Sequence, residues 1–203
     1  MTDNQTILQK AAQTVTRKLA DKPTPQSVVT ALLNCEKQAK KQSADAEFQQ
    51  LVGCWRLCFI TGTKKARDRA GIALGAGRYL ARWVKITITY SALDTENKGL
   101  QNPDLECGQV QNSVTVGGLN LILSGPVKFI KHKILAFDFT RITVKLSGFK
   151  IYEGNVRGGR EKEAEFNSQP LKKQAFFNYF LIKDDIIAAR GKGGGLALWG
   201  KEV

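Results

Sequence analysis

The chain has 203 residues, of which 42% are hydrophobic and 24% are charged; these values are typical of a globular protein with one core and room for an appendage. No run approaches the roughly 20 apolar residues of a membrane-spanning helix, and the first residues lack the basic-then-apolar pattern of a secretory signal. Thirty-one basic and eighteen acidic residues give a net charge of +13, which favours anionic partners such as membranes, nucleic acid or acidic proteins.

Two short helices are predicted at the N-terminus. Apolar residues recur at spacings of three and four between Asn4 and Ala20, as in an amphipathic helix. Thr24 and Pro25 then read as the N-cap and first residue of a second helix. A further helical turn is predicted over 46–51, so we expect a helical extension over 1–50 and a barrel domain over 51–203.

From Gly53 onward the apolar period changes from 3.6 to 2, which indicates half-buried strands. Eight or nine such runs follow, with a phase slip near Thr140. The connections leave no room for helical crossovers, so the sheet is antiparallel. The predicted fold is therefore mainly β with N-terminal helices (α+β), an antiparallel β-barrel of eight to nine strands.

Two segments interrupt the strand pattern. Residues 63–77 are basic and Gly-rich, and are predicted to form either a helix plugging one barrel end or a loop over the mouth. Residues 154–170 alternate in charge and are predicted to be a flexible hairpin or loop.

The four cysteines form no CxxC pair and have only His132 to assist them, so no metal site is predicted. Free thiols in a reducing compartment are the favoured interpretation.

An eight-stranded barrel is wide enough to hold one small ligand, and its inward aromatic residues would wall an apolar pocket. Asn112, on an apolar face, would hydrogen-bond a ligand carbonyl. The alternative is that the aromatic residues fill the barrel and that Asn112 satisfies a backbone group. The predicted ligand-binding residues are Phe59, Tyr90, Asn112, Phe137, Phe139 and Tyr179.

A second candidate surface combines cations with an indole. Trp prefers the headgroup level of a bilayer, and Lys and Arg are attracted to anionic lipid. The alternative is a solvated basic surface that only keeps the protein soluble. The predicted membrane-facing residues are Arg78, Arg82, Trp83 and Lys85.

Several motifs resemble those of known barrels. The Gly-x-Trp at 53–55 and a late Arg190 are similar to lipocalin-like barrels, which implies that the Arg190 guanidinium packs across Trp55 and closes one barrel end. The segment LVGCWRL at 51–57 resembles the Leu-x-Gly-x-Trp-x-Leu entry of the plastid-lipid-associated (fibrillin) family. Gly-x-Val-x-Asn at 108–112 and the Arg-Gly at 190–191 are also similar to that family. One departure is Ile187, where the family usually has a second Arg.

This resemblance covers roughly 51–199 and implies a non-catalytic protein of thylakoid membranes or lipid globules, protective under light stress. Its ligand would be a carotenoid, a prenylquinone or a related lipid, with no other cofactor required. Its surface partner would be the anionic thylakoid lipid. The sequence start resembles a cyanobacterial member, located at the cytoplasmic face of the thylakoid or in the cytoplasm, or in a plastid if a leader was removed.

Two further hypotheses remain open. The helices within 1–42 would bind a protein partner if the chain is a membrane-docked scaffold. Alternatively, the chain would be a bilin-handling enzyme, since lipocalin-like barrels include lyases that attach bilins. No nucleophile elbow, P-loop or dinucleotide fingerprint is present, so no catalytic residue is predicted. Nucleic acid is a disfavoured partner, because the basic zones lack interleaved aromatic residues.

Overall fold

The computed structural model describes residues 3–41, 46–62, 77–92, 105–130 and 133–202. Within these ranges the protein is mostly β, with helices at the N-terminus. The helices are α1 (Asp3–Thr16), α2 (Pro25–Ala39), α3 (Gly159–Glu165) and the 3-10 turns η1 (Phe48–Leu51) and η2 (Leu171–Lys173). The strands are β1 (Gly53–Ile60), β2 (Arg78–Tyr79), β3 (Val84–Ala92), β4 (Leu105–Val116), β5 (Leu119–Ile130), β6 (Ile134–Phe137), β7 (Arg141–Leu146), β8 (Phe149–Asn155), β9 (Ala175–Ile182), β10 (Ile186–Gly191) and β11 (Leu196–Lys201).

Eight of these strands close an antiparallel barrel, as the sequence predicts. Their order is β1, β3, β4, β5, β6, β9, β10 and β11, and β11 pairs again with β1. The phase slip near Thr140 marks the end of β6 and the start of β7. The lipocalin-like barrel with N-terminal helices is therefore confirmed.

The sheet extends beyond the barrel because β5 serves two neighbours. β5 pairs with β4 along its whole length, whereas its other edge pairs first with β7 over 119–124 and then with β6 over 127–130. The hairpin β7–β8 continues the sheet outside the barrel. We call this extension the wing, formed by β7, β8, 119–124 of β5, 112–116 of β4 and 84–88 of β3.

Gly125 allows β5 to change partners. A Cβ added at this position would lie 2.2 Å from the carbonyl oxygen of Asp138, in the link between β6 and β7. The backbone N–H of Thr140 donates to the carbonyl of Ser124 at 2.9 Å, directly beside it. Only a residue without a side chain fits this crossing.

The two N-terminal helices pack on the outside of the barrel. Leu8 of α1 and Leu32 of α2 are fully buried in one apolar cluster with Leu198 of β11. The predicted start of α2 is confirmed, because the Ser27 N–H donates to the Thr24 hydroxyl at 3.2 Å and Pro25 is the first helical residue. Within the described residues, no helix is long and apolar enough to span a membrane.

The expectation of a loop over 154–170 is wrong, because α3 lies within it. Its end is held by Lys128, whose ammonium is buried and donates to the carbonyls of Phe166, Asn167 and Gln169 at 3.0–3.1 Å. A cation stabilises the free carbonyls at the C-terminal end of a helix.

The prediction of a plugging helix or a loop over 63–77 lies outside the described residues, except for Gly77. His132 also lies outside them.

The four cysteines are free thiols, as predicted. Cys35 and Cys58 are buried in the contact between the helices and the barrel, whereas Cys54 and Cys107 are half-buried.

Candidate functional site

One end of the barrel is closed by η1 and Trp55. The indole Nε1 of Trp55 donates to the Leu51 carbonyl at 2.7 Å, and the indole is fully buried. Phe48 of η1 meets the ring of Tyr90 edge-on, with centroids 6.3 Å apart. The ammonium of Lys201 lies 4.7 Å from the Trp55 ring centroid, within cation–π range. Phe48, Leu51 and Trp55 are all buried, so these residues cover this end of the barrel.

The expected contact between Arg190 and Trp55 is absent, and this resemblance-based prediction is wrong. Trp55 pairs with Lys201 at the end of β11, whereas Arg190 pairs with Leu196 at its start. Five residues of strand separate these levels, a distance of about 17 Å at roughly 3.4 Å per residue. Lys201 therefore supplies the cation over the indole, and Arg190 instead binds Glu36 of α2.

Above the closed end, aromatic side chains fill the barrel. The hydroxyls of Tyr90 and Tyr179 form a hydrogen bond at 2.9 Å, and the two side chains are 1% and 3% exposed. Burial raises the pKa of both phenols well above the ordinary value. Phe177 packs against Phe137 and Trp199, with centroids 5.0 and 5.3 Å apart. Between the closed end and Phe177, aromatic side chains therefore fill the barrel interior, as in the alternative in which these residues leave no pocket.

Phe59 does not join this group. The register of β1 against β11 shifts between Leu57 and Phe59, which is the mark of a β-bulge. Leu57 consequently packs with the barrel interior, whereas Phe59 faces the helices and meets Tyr79 edge-on at 5.1 Å. The predicted pocket residue Phe59 thus lies on the outer side of the sheet.

The other end of the barrel is only partly covered. Five apolar residues that pack on the interior remain half-buried there, and we call them the barrel mouth: Leu57, Phe139, Ala175, Phe177 and Ala197. The ring centroids of Phe139 and Phe137 are 5.3 Å apart. Two of the predicted pocket residues therefore border this opening. Phe177 and Leu57 were not predicted as pocket residues, although Leu57 stands between Arg56 and Cys58 and Phe177 lies two residues before the predicted Tyr179.

Asn112 lies beside the mouth, on the side that leads to the wing. In register, it is flanked by Ile88 of β3 and Leu123 of β5, so its amide projects from an apolar row. Its Oδ1 atom is buried and has no hydrogen-bond partner. Because most buried polar atoms in proteins are paired, this oxygen marks a position where a polar ligand atom would be stabilised.

The inward face of the barrel continues as an apolar face of the wing. Residues paired across the strands share one face, so the next row is again apolar. That row consists of Ile86, Val114, Leu121, Val144 and Tyr152. The opposite face carries polar residues, where the Ser113 hydroxyl donates to Asn120 Oδ1 at 2.7 Å. The mouth and the wing thus present one continuous apolar surface.

Of the predicted membrane-facing residues, Arg82, Trp83 and Lys85 lie at the far edge of the wing, whereas Arg78 pairs with Ile60 of β1. Arg78 is in β2, and Arg82 and Trp83 form the turn into β3. Trp83 is 71% exposed. Lys85 forms an ion pair with Glu202. Ile187, at the position where the resembled family has a second Arg, is fully buried in the barrel interior.

No protein-family model, curated protein or solved structure matches this chain.

Proposed function

We propose that the protein binds one amphipathic lipid at the barrel mouth and is a non-catalytic, fibrillin-like protein of photosynthetic membranes. The ligand class is that of carotenoids, prenylquinones and related lipids. The observation that carries the proposal is the buried, unpartnered Oδ1 of Asn112 beside a half-buried apolar opening. A role at the thylakoid of a cyanobacterium, protective under light stress, follows from the sequence resemblance alone.

The filled interior decides where such a ligand would lie. Tyr90 and Tyr179 block the barrel above its closed end, so a long ligand has no room along the barrel axis. It would instead rest across the mouth and along the apolar face of the wing. Contact with Leu57, Phe139 and Phe177 would remove half-exposed apolar surface from water, at about 25 cal/mol per Å².

The polar end of the ligand would meet Asn112. A ligand hydroxyl would donate to Oδ1, and a ligand carbonyl would accept from the Asn112 amide N–H. An unsatisfied buried polar group costs about 1–3 kcal/mol, and a ligand that satisfies it regains that energy. An oxygenated lipid is therefore preferred over a pure hydrocarbon of the same shape.

The test compares two carotenoids that share a skeleton. Zeaxanthin has hydroxyls at both ends, whereas β-carotene has none. We expect the protein to bind zeaxanthin in detergent solution, detected by a shifted carotenoid absorption that co-elutes with the protein. The substitution Asn112→Leu should weaken zeaxanthin binding about tenfold, corresponding to about 1.4 kcal/mol, and should leave β-carotene binding unchanged.

Gln111 provides the matched control, because it is exposed on the opposite face of the same strand. Gln111→Leu should leave the binding of both carotenoids unchanged. A prenylquinone tested in the same way covers the other ligand class. The proposal fails if folded protein binds none of these lipids, and extraction of protein from a cyanobacterial host then yields no bound lipid either.

A further inference from the structure

Three turns of the wing lie side by side at its outer edge. In register, Val84 pairs with Val116, Val116 with Leu119, and Leu119 with Leu146. The turns at 81–83, 117–118 and 147–148 therefore form one continuous margin. We call this margin, with the residues that flank the turns, the three-turn edge.

Large apolar side chains are exposed along the three-turn edge. Phe149 is 78% exposed and Trp83 is 71% exposed. Val116, Leu119 and Leu146 are 39%, 46% and 50% exposed in the row between them. Single exposed apolar residues are ordinary, but five along one edge of the sheet form a patch of the kind that binds a membrane or a partner.

Lysines follow the same edge on the opposite face of the sheet. In register, Lys85 pairs with Thr115, Thr115 with Asn120, Asn120 with Lys145, and Lys145 with Lys150. The three lysines therefore lie in one row across the strands. Strand neighbours project to opposite faces, so each lysine is one residue from an apolar residue of the edge. The three segments 81–85, 113–122 and 141–153 contain five basic residues and one acidic residue: Arg82, Lys85, Arg141, Lys145 and Lys150, with Glu153. Three of these cations form ion pairs, Lys85 with Glu202, Arg141 with Glu163 and Lys150 with Glu153, which leaves a net positive charge along the edge.

A protein strand is a poor occupant of this surface. β8 is the free edge of the sheet, but the register of β7 against β8 shifts between Val144 and Lys145, which leaves Ile151 as an extra residue. Bulges and edge charges such as Lys150 and Glu153 discourage the addition of another strand. A partner of the exposed Trp83 and Phe149 would therefore bind through its surface and not by adding a β-strand to the sheet.

We propose that the three-turn edge docks on an anionic lipid bilayer. Trp83 and Phe149 enter the interface, where aromatic residues are favoured, and the lysine row stays at headgroup level beside the anionic lipid. The apolar margin matches the interior of a bilayer, and the row of cations matches anionic lipid headgroups. A neutral bilayer would match only the apolar margin. This docking does not depend on ligand binding at the barrel mouth.

The experiment measures sedimentation of the ligand-free protein with phosphatidylcholine vesicles, with and without phosphatidylglycerol. We expect binding to the anionic vesicles only, weakened by added salt. The double substitution Trp83→Ser/Phe149→Ser should lower the partition coefficient at least about tenfold, because both interfacial aromatic residues are lost. Lys145→Gln/Lys150→Gln should also lower the partition coefficient, because each removes a cation that attracts the anionic surface.

Matched controls lie on α2 and in the link between α1 and α2, away from the wing. Leu33 is 46% exposed on α2, so Leu33→Ser removes a similar apolar side chain, and Lys18→Gln/Lys37→Gln removes two surface cations. Both controls should bind as the wild type does, with unchanged thermal unfolding in all variants. Trp55 and Trp199 are buried, so a blue shift of tryptophan emission on vesicles reports Trp83, and Trp83→Phe should remove that shift.

Three results would overturn the proposal. The first is wild-type protein that ignores anionic vesicles. The second is equal loss of binding in the edge variants and the helix controls, which would mean attraction by net charge alone. The third is a dimer in solution that Trp83→Ser/Phe149→Ser dissociates, which would assign the edge to a second copy of the chain.

Discussion

The guanidinium of Arg190 on β10 forms two hydrogen bonds with the carboxylate of Glu36 on α2, at 2.7 and 2.6 Å. The third donor of the guanidinium binds the carbonyl of Gly194 in the next hairpin at 2.5 Å. The Glu36 side chain is 10% exposed and that of Arg190 is 29% exposed. One ion pair thus fastens the helical hairpin to the rim of the barrel.

Removing this pair should destabilise the protein. Glu36→Gln leaves the Arg190 charge without its partner, so we expect a loss of about 1–3 kcal/mol in the free energy of unfolding, less than for a fully buried pair because Arg190 is partly solvated. Chemical denaturation measures this loss. Glu163→Gln is the control, because its longer 3.4 Å pair with Arg141 is more exposed and should cost less than about 1 kcal/mol.

The same pair should make stability depend on pH. Hydrogen bonding to Arg190 lowers the pKa of Glu36 in the folded state. The stabilisation is therefore complete above the unfolded value of about 4.3 and is lost as pH falls through the lowered folded pKa. The difference between wild type and Glu36→Gln should shrink below about pH 4.3, and a constant difference down to strong acid would contradict this account.

The buried tyrosine pair should show strong coupling. Tyr90→Phe leaves the Tyr179 hydroxyl buried without its partner, and the reverse holds for Tyr179→Phe, so each should cost about 1–3 kcal/mol. The double substitution removes both polar groups and should cost less than the sum of the single ones. A double-mutant cycle from denaturation curves tests this, and strict additivity would mean that the two hydroxyls do not satisfy each other.

The four thiols should differ in reactivity. Burial raises the pKa of Cys58 to about 12, and it also raises the pKa of Cys35. The thiolate is the reactive form, so both should react slowly with an aromatic disulfide reagent at mildly alkaline pH. Half-buried Cys54 should react first in the folded protein, and all four should react in denaturant. Rapid labelling of Cys58, located by peptide mapping, would show that the helices detach from the barrel.

Gly125→Ala should disrupt the exchange of partners along β5. The new methyl group would lie 2.2 Å from the Asp138 carbonyl oxygen, and backbone cannot move away cheaply. We expect a loss of about 3 kcal/mol or more. Gly191→Ala is the control, because its Cβ would meet nothing closer than 3.8 Å. Equal thermal unfolding of the two variants would contradict the proposed crossing.

The barrel itself can be predicted from the alternation of apolar and polar residues, since each strand buries one face. The same pattern cannot locate a bulge, and the one between Leu57 and Phe59 moves Phe59 to the helix side. Neither can it separate barrel from wing, because Val144 alternates just as Val110 does while only Val110 is enclosed.

The contacts that fasten the helices to the barrel are harder to predict than the site residue Asn112, because they join distant parts of the chain. Arg190 is 154 residues from Glu36, and no local spacing relates them. The sequence predicts Lys128 to be a surface cation. In the structure it is buried, and its ammonium donates to the Phe166 carbonyl after α3. Asn112 could be found, because a lone amide within an apolar run stands out by its polarity alone.

The shared strands have a consequence for how the molecule melts. β4 and β5 each run 12 residues without a break, from inside the closed barrel to the three-turn edge. The wing therefore has no boundary at which it would unfold by itself and leave the barrel ordered. Heating should give one cooperative transition for both, and any stiffening of the edge at a surface should raise the temperature at which the whole barrel comes apart.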